Sequence, residues 1–187
     1  MEENRQTPEI CDLRQQKQVW DRVQPAMAPY PAETRPSPGA NSRPCCMGSA
    51  AENFLQVLTG YIEEELSEQR DYLALSRRAP TWARGELRAL SAQEGEHAGR
   101  LMTVYYLITG SCYAPAAVCA APYREPWCAA LRRRYHEEVC CAMDYARSAA
   151  GTTDVCLVRL MERLSADAYR HADRVTAMLQ RSMGNRA

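Results

Sequence analysis

Five side chains in the last three quarters of the chain are of types that bind metal ions, and their spacing would let them act together: Glu65, Glu94, His97, Glu138 and His171. Glu94 and His97 stand three residues apart, so on a helix both leave one face and can reach a common ion. A carboxylate from a neighbouring helix, Glu65 or Glu138, would add oxygen donors on either side. One Glu on the first helix of each half with Glu-x-x-His on its second would make an oxygen-rich, nitrogen-capped dinuclear site. A lone Glu-x-x-His arises often by chance, and a single core histidine is usually a satisfied structural residue. The conjunction matters more: each of the five falls on an apolar stripe, where an unpaired carboxylate must be protonated, hydrogen-bonded or bound to a cation.

The elements that must position these residues are helices. From Ala50 onward the apolar residues recur every 3.6 positions, and no segment alternates with period two. Phe54, Leu58, Tyr61, Glu65, Tyr72 and Leu75 share one face of a first helix that runs to about Ala79, and Pro80-Thr81 opens a second. That second helix carries Leu87, Leu90, Glu94, His97, Ala98, Leu101, Val104 and Ile108, and Thr109-Gly110 ends it. Pro126 starts a third helix, with Leu131, Tyr135, Glu138, Ala142, Tyr145 and Ala149 on its stripe. After Gly151-Thr152-Thr153-Asp154 a fourth stripe follows: Leu157, Leu160, Met161, Leu164, Ala168, His171, Ala172, Val175 and Met178. The expectation is an all-α four-helix bundle over residues 50–183, made of two antiparallel hairpins. Short turns join helices within each hairpin, whereas Ser111 to Glu125 is a connection of 15 residues without periodicity. Such a stretch reaches about 50 Å when extended, against about 42 Å for a 28-residue helix, so it can run the length of the bundle.

The two hairpins read as one unit repeated. Tyr61-Ile62-Glu63-Glu64-Glu65 returns as Tyr135-His136-Glu137-Glu138, and Ser91 to Ala98 returns as Ser165 to Ala172. Each half has Glu followed seven residues later by Tyr, Glu65 with Tyr72 and Glu138 with Tyr145. A pseudo-twofold bundle is therefore expected. Glu63, Glu64 and Glu137 lie off the stripes and read as a solvated face. The second Glu-x-x-His lacks its glutamate: the residue is Ala168. Asp167 sits about 100° round the helix and cannot simply replace it. Glu68, three residues after Glu65, is the candidate to lend a carboxylate, and Cys141, at the matching position after Glu138, would bring a thiol near the site or pack as a small apolar residue.

Composition narrows the remaining classes. Twenty-three basic residues balance 23 acidic ones, so no net field gathers nucleic acid or anionic lipid. Apolar runs are interrupted well before the roughly 20 residues a bilayer requires. Residues 1–49 hold seven of the 11 prolines and read as a tail or linker, in which Val19-Trp20-Asp21-Arg22-Val23 is the one stretch suited to docking on the body; residues 184–187 read as a C-terminal tail. The first 30 residues show no apolar signal core, which makes a reducing cytoplasm the expected location. The nine cysteines are odd in number and never spaced C-x-x-C, which argues against a zinc ribbon, a rubredoxin-like site and a disulfide framework.

Residues 50–183 resemble the ferritin-like superfamily, specifically the rubrerythrin-like di-iron domains. The likeness is carried by Glu65…Tyr72, Glu94-x-x-His97, Tyr106-Leu107-Ile108-Thr109-Gly110, Leu131-Arg132…Tyr135…Glu138 and Asp167…His171. It implies a non-haem iron site, with two ions or one if Ala168 abolishes the second, and with manganese or zinc as alternatives. It further implies redox chemistry on peroxide, oxygen or ferrous iron, with Glu65, Glu94, His97, Glu138 and His171 as ligands, Glu68 in reserve, and Tyr72 and Tyr145 as donors behind them. The paired C-x-x-C module of rubrerythrins is missing, so electrons would come from a separate donor; a homodimer is allowed. The other reading is a family member that keeps the bundle for a structural or interaction role without turnover.

Overall fold

The computed structural model describes residues 46–116 and 125–184, and side chains at 49 and 50 are left aside. Val19 to Val23, read above as a docking stretch, lies outside the described residues. A single-turn helix α1 (Ser49–Glu52) leads into α2 (Leu55–Arg78), followed by α3 (Thr81–Thr109), α4 (Trp127–Gly151) and α5 (Val155–Gly184). No strand occurs among the described residues, and none of their helices is long and apolar enough to cross a membrane.

The helix ends follow their local chemistry. Extended backbone at Ala79 and Pro80 stops α2 and starts α3, because Pro80 disfavours helical geometry in the residue before it. Gly110 closes α3 in the left-handed region at φ 70°, where a residue without Cβ is unstrained, and its N–H returns to the Tyr106 carbonyl. Asp154 caps α5: its Oδ1 accepts the N–H groups of Cys156 and Leu157 at 2.9 and 3.0 Å. The other carboxylate oxygen accepts from the Met47 N–H at 2.5 Å, and Cys46 is disulfide-bonded to Cys156. Cys112 is disulfide-bonded as well. The expectation that the cysteines build no disulfide framework is thus corrected. Cys46 and Cys156 are 110 residues apart, and only the fold brings the chain before α1 against the start of α5.

Helices α2 and α3 pack as one antiparallel hairpin, α4 and α5 as another. Trp127 at the start of α4 meets Trp82 at the start of α3 edge-on, with centroids 6.3 Å apart, and donates to Ser182 near the end of α5. The connection after α3 therefore begins and finishes at opposite ends of the bundle. On its way out, Tyr113 Oη and the Ala116 N–H both donate to Glu63, which is half-buried by this contact rather than fully solvated. The pseudo-twofold is visible in matched hydrogen bonds: Ser91 Oγ donates to the Gln69 carbonyl, and Ser165 Oγ, its counterpart, to the Ala142 carbonyl.

Two apolar clusters flank a polar level. One gathers Leu58, Ile62, Leu101, Leu157, Met161 and Leu164; the other gathers Leu75, Leu87, Leu90, Leu131, Val175 and Met178. One stripe residue is corrected. Tyr135 is 37% exposed, and the inward position of that turn belongs to Arg134, 1% exposed. Leu131, Arg134, Glu138 and Cys141 step by three and four and so keep one face, whereas Tyr135 lies a further 100° round.

Candidate metal centre

Between the two clusters, α2 supplies Glu65 and Glu68, α3 supplies Glu94 and His97, α4 supplies Arg134 and Glu138, and α5 supplies His171; all seven are buried. Two groups of potential ligands form, Glu65 with Glu94 and His97, and Glu94 with Glu138 and His171. Glu94 belongs to both. Its Oε2 lies 3.1 Å from His97 Nδ1 and its Oε1 2.8 Å from His171 Nδ1, so its two oxygens are divided between the two imidazoles.

The outer carboxylates repeat one arrangement through the pseudo-twofold. Tyr145 Oη donates to Glu65 Oε1, leaving Glu65 Oε2 to face His97 Nδ1 at 3.4 Å. Tyr72 Oη donates to Glu138 Oε1, leaving Glu138 Oε2 to face His171 Nδ1 at 3.5 Å. Each tyrosine thus holds the carboxylate of the other hairpin, and burial pushes both phenols well above their ordinary range, so they remain protonated donors. Behind His97, Asp167 Oδ2 stands 3.4 Å from Nε2, where it sets the ring so that Nδ1 turns inward.

These distances do not resolve into hydrogen bonds. His171 Nδ1, Glu94 Oε1 and Glu65 Oε2 are buried without a hydrogen-bond partner, although His171 Nδ1 and Glu94 Oε1 are only 2.8 Å apart. The ring N–H direction misses the oxygen. Donor atoms bound at about 2.1 Å to one ion lie about 3 Å from each other and aim at a shared point instead of at one another. Orphaned buried polar atoms are costly, and a cation between them would satisfy all of them at once. The residues therefore fit a metal ion.

Without one, protons do the neutralising. Burial pushes Glu65 up to about 7, against the pull of nearby His97. Burial would raise Glu94 too, but His171 and His97 on either side override it and hold the group at about 2. The same carboxylates overcome burial at His97 and His171 and raise each to about 9. A cation can take the place of these protons.

The sequence singled out Glu68 and Ala168, and the structure locates both. Ala168 is buried three residues before His171 on the same face of α5 and belongs to the apolar cluster of Met161 and Leu164, so that position supplies no carboxylate. Glu68 turns inward as well, yet its Oε1 accepts from Arg134 Nη2 at 2.6 Å, and it stands outside both ligand groups. Cys141 Sγ packs 3.4 Å from Glu64 Oε1 and 3.8 Å from Glu68 Oε1, and burial raises its thiol, which stays neutral. Arg134 was missed by the sequence reading; its position four residues before Glu138, on the same face, was the available signal. A third acidic and thiol group, Cys46 with Asp154 and Cys156, is spent on the disulfide and the helix cap. On the surface, a cleft of about 680 Å³ between α2 and α4, lined by Glu64, Asp71, Glu137 and Cys140, reaches the Glu68–Arg134 pair.

No protein-family model matches the chain, and no curated protein or solved structure matches it either. The chain is an all-α four-helix bundle with two carboxylate–histidine groups at its middle level, an architecture compatible with a ferritin-like fold.

Proposed function

We propose that this protein is a ferritin-like, rubrerythrin-type metal-binding protein whose centre is held by Glu65, Glu94, His97, Glu138 and His171. The observation that carries the reading is Glu94, whose two oxygens are divided between two histidine nitrogens while Glu94 Oε1 and His171 Nδ1 lack hydrogen bonds. Iron is the metal we favour, with manganese and zinc as alternatives, since oxygen-rich sites with imidazole accept all three. Bound iron would supply electron transfer to or from peroxide, oxygen or ferrous iron. The chain's own part is to hold it: Tyr72 and Tyr145 fix the outer carboxylates, and Asp167 orients His97. Electrons would come from a separate donor, because the chain carries no C-x-x-C pair.

The test is metal content after purification with and without ferrous iron, read beside the thermal midpoint. A ligand that binds only the folded state raises that midpoint. Protein that takes up metal and melts higher, with both effects lost in Glu94→Ala, supports the proposal. An unchanged midpoint in excess ferrous, manganous and zinc ions would favour the second reading, a bundle kept for a structural or interaction role. Ala168 is the observation on that side, since one carboxylate of the symmetric set is absent. For location, the cytoplasmic reading of the sequence stands against the Cys46–Cys156 bond, because disulfides are rare in reducing compartments. A free-thiol count on protein from its native host decides between them.

A further inference from the structure

The two halves of the centre differ at a second position besides Ala168. Glu65 and Glu138 are equivalent, so Tyr61 is equivalent to Arg134, each four residues earlier, and not to Tyr135, which the Tyr-to-Glu run of the repeat would match with it. Both contact the tyrosine of the other hairpin: the Tyr61 and Tyr145 ring centroids are 4.5 Å apart with the planes tilted by 47°, and the Arg134 guanidinium lies over the Tyr72 ring, 4.4 Å from its centroid. One place in the repeat thus holds a neutral phenol in one half and a permanent cation in the other. Arg134 Nη2 bonds Glu68 at 2.6 Å and stands 3.7 Å from Glu138 Oε1, while Nη1 bonds Glu137 at 2.8 Å. Among the described residues, no arginine or lysine lies within ion-pair distance of Glu65, whose neighbours are His97 and Tyr145.

We propose that Arg134 makes the centre unequal, so that a first divalent ion goes to Glu65, Glu94 and His97, and the Glu138–His171 half fills only weakly. This rests on the metal reading above and adds an order of filling to it. The charges give the reason. As ligands Glu65, Glu94 and Glu138 must be ionised, which gives three negative charges; one divalent ion leaves −1 and a second turns the cluster to +1 in a low-dielectric interior. Glu138 Oε1 has both the Tyr72 hydroxyl and the Arg134 guanidinium beside it, whereas among the described residues Glu65 Oε1 has the Tyr145 hydroxyl alone, so the Glu138 carboxylate has less of its charge left for an ion. Glu68 does not redress this, because its carboxylate is engaged by Arg134 and stands outside both ligand groups, so it adds no donor to the Glu138 half.

Manganous ion is a suitable probe, being divalent and stable to air on the time scale of a titration. Calorimetric titration of the full chain should show one tight ion and a second at least about tenfold weaker. Glu65→Gln should cost the tight event more than Glu138→Gln does. Replacing the pair together, Glu68→Leu with Arg134→Leu, should narrow the gap between the two events while the core stays apolar and paired. Arg134→Leu alone frees Glu68 as a fourth carboxylate and should give two tight ions, with a lower thermal midpoint in metal-free buffer; should it fail to fold, the double variant and the wild-type titration decide the question. Arg134→Lys should keep the wild-type gap. Two equally tight ions in wild type, or an unaltered gap in the double variant, would overturn the inference while leaving the metal reading standing. No uptake by wild type above that of Glu94→Ala would remove the metal reading and the inference with it.

Discussion

The two hairpins share a backbone plan and differ in chemistry. Leu90 and Leu164, Ser91 and Ser165, and His97 and His171 play matched parts in α3 and α5, and Tyr72 and Tyr145 each donate to the outer glutamate of the other hairpin. Set against them, Glu94 faces Ala168, Tyr61 faces Arg134 and Glu68 faces Cys141. The packing positions, the outer glutamates and the histidines kept the repeat, and the departures fall where one half has a charged residue and the other does not. Apolar positions are constrained by volume and tolerate little change once a core is close-packed. A buried charge is constrained only by having its counter-charge nearby, so Arg134 and Glu68 could enter together without disturbing the bundle.

The change that should break this comparison hardest is Glu94→Ala, which removes the one carboxylate common to both ligand groups. Stabilisation by metal, about 2.7 kcal/mol at a free concentration 100 times Kd, should vanish entirely. Thermal melts with and without manganous ion measure it. Ala168→Glu works in the opposite sense and restores the symmetric set. It should strengthen binding of the second ion, and in metal-free buffer it should cost about 3 kcal/mol by burying another carboxylate beside three. A neutral effect in both conditions would mean that position 168 does not communicate with the centre.

The two tyrosines offer a finer comparison. Tyr145→Phe leaves Glu65 Oε1 without its donor, whereas Tyr72→Phe leaves Glu138 Oε1 still within reach of Arg134. Each loss should fall in the range of about 1–3 kcal/mol, with Tyr145→Phe the costlier of the two; a denaturant titration in which Tyr72→Phe cost more would reverse the roles assigned to the two phenols. A further effect is spread over pH. In metal-free protein, His97 and His171 are raised to about 9, so their contribution is complete below about 6.5 and is lost as pH rises through 9. Glu65, raised to about 7, loses its contribution in the same direction between about 4.5 and 7. Glu94, held at about 2, contributes fully above about 4.5 and loses that as pH falls through 2. The metal-free midpoint should thus decline from about pH 5 to pH 9, and metal affinity should climb over the same upper range as ions displace protons. Melts across pH in both states would show the two curves diverging; parallel curves would count against ligation by the histidines.

The sequence by itself determined the helical period, the repeat, and the inward faces on which Glu65, Glu94, His97, Glu138 and His171 sit, because a 3.6-residue period shows directly which side chains share a face. It also exposed the gap at Ala168, since a repeat lets one half be read against the other. Tyr135 was placed inward where Arg134 is, because an aromatic is the default core residue and an arginine is buried only when partners await it on another helix. Those partners were settled by tertiary structure alone. Whether Glu68 meets Arg134 or an ion, whether Tyr72 bonds Glu138, and whether Cys46 finds Cys156 depend on the relative height and rotation of packed helices. Periodicity within one helix carries no information about those two quantities; the interdigitation of side chains across the bundle sets them.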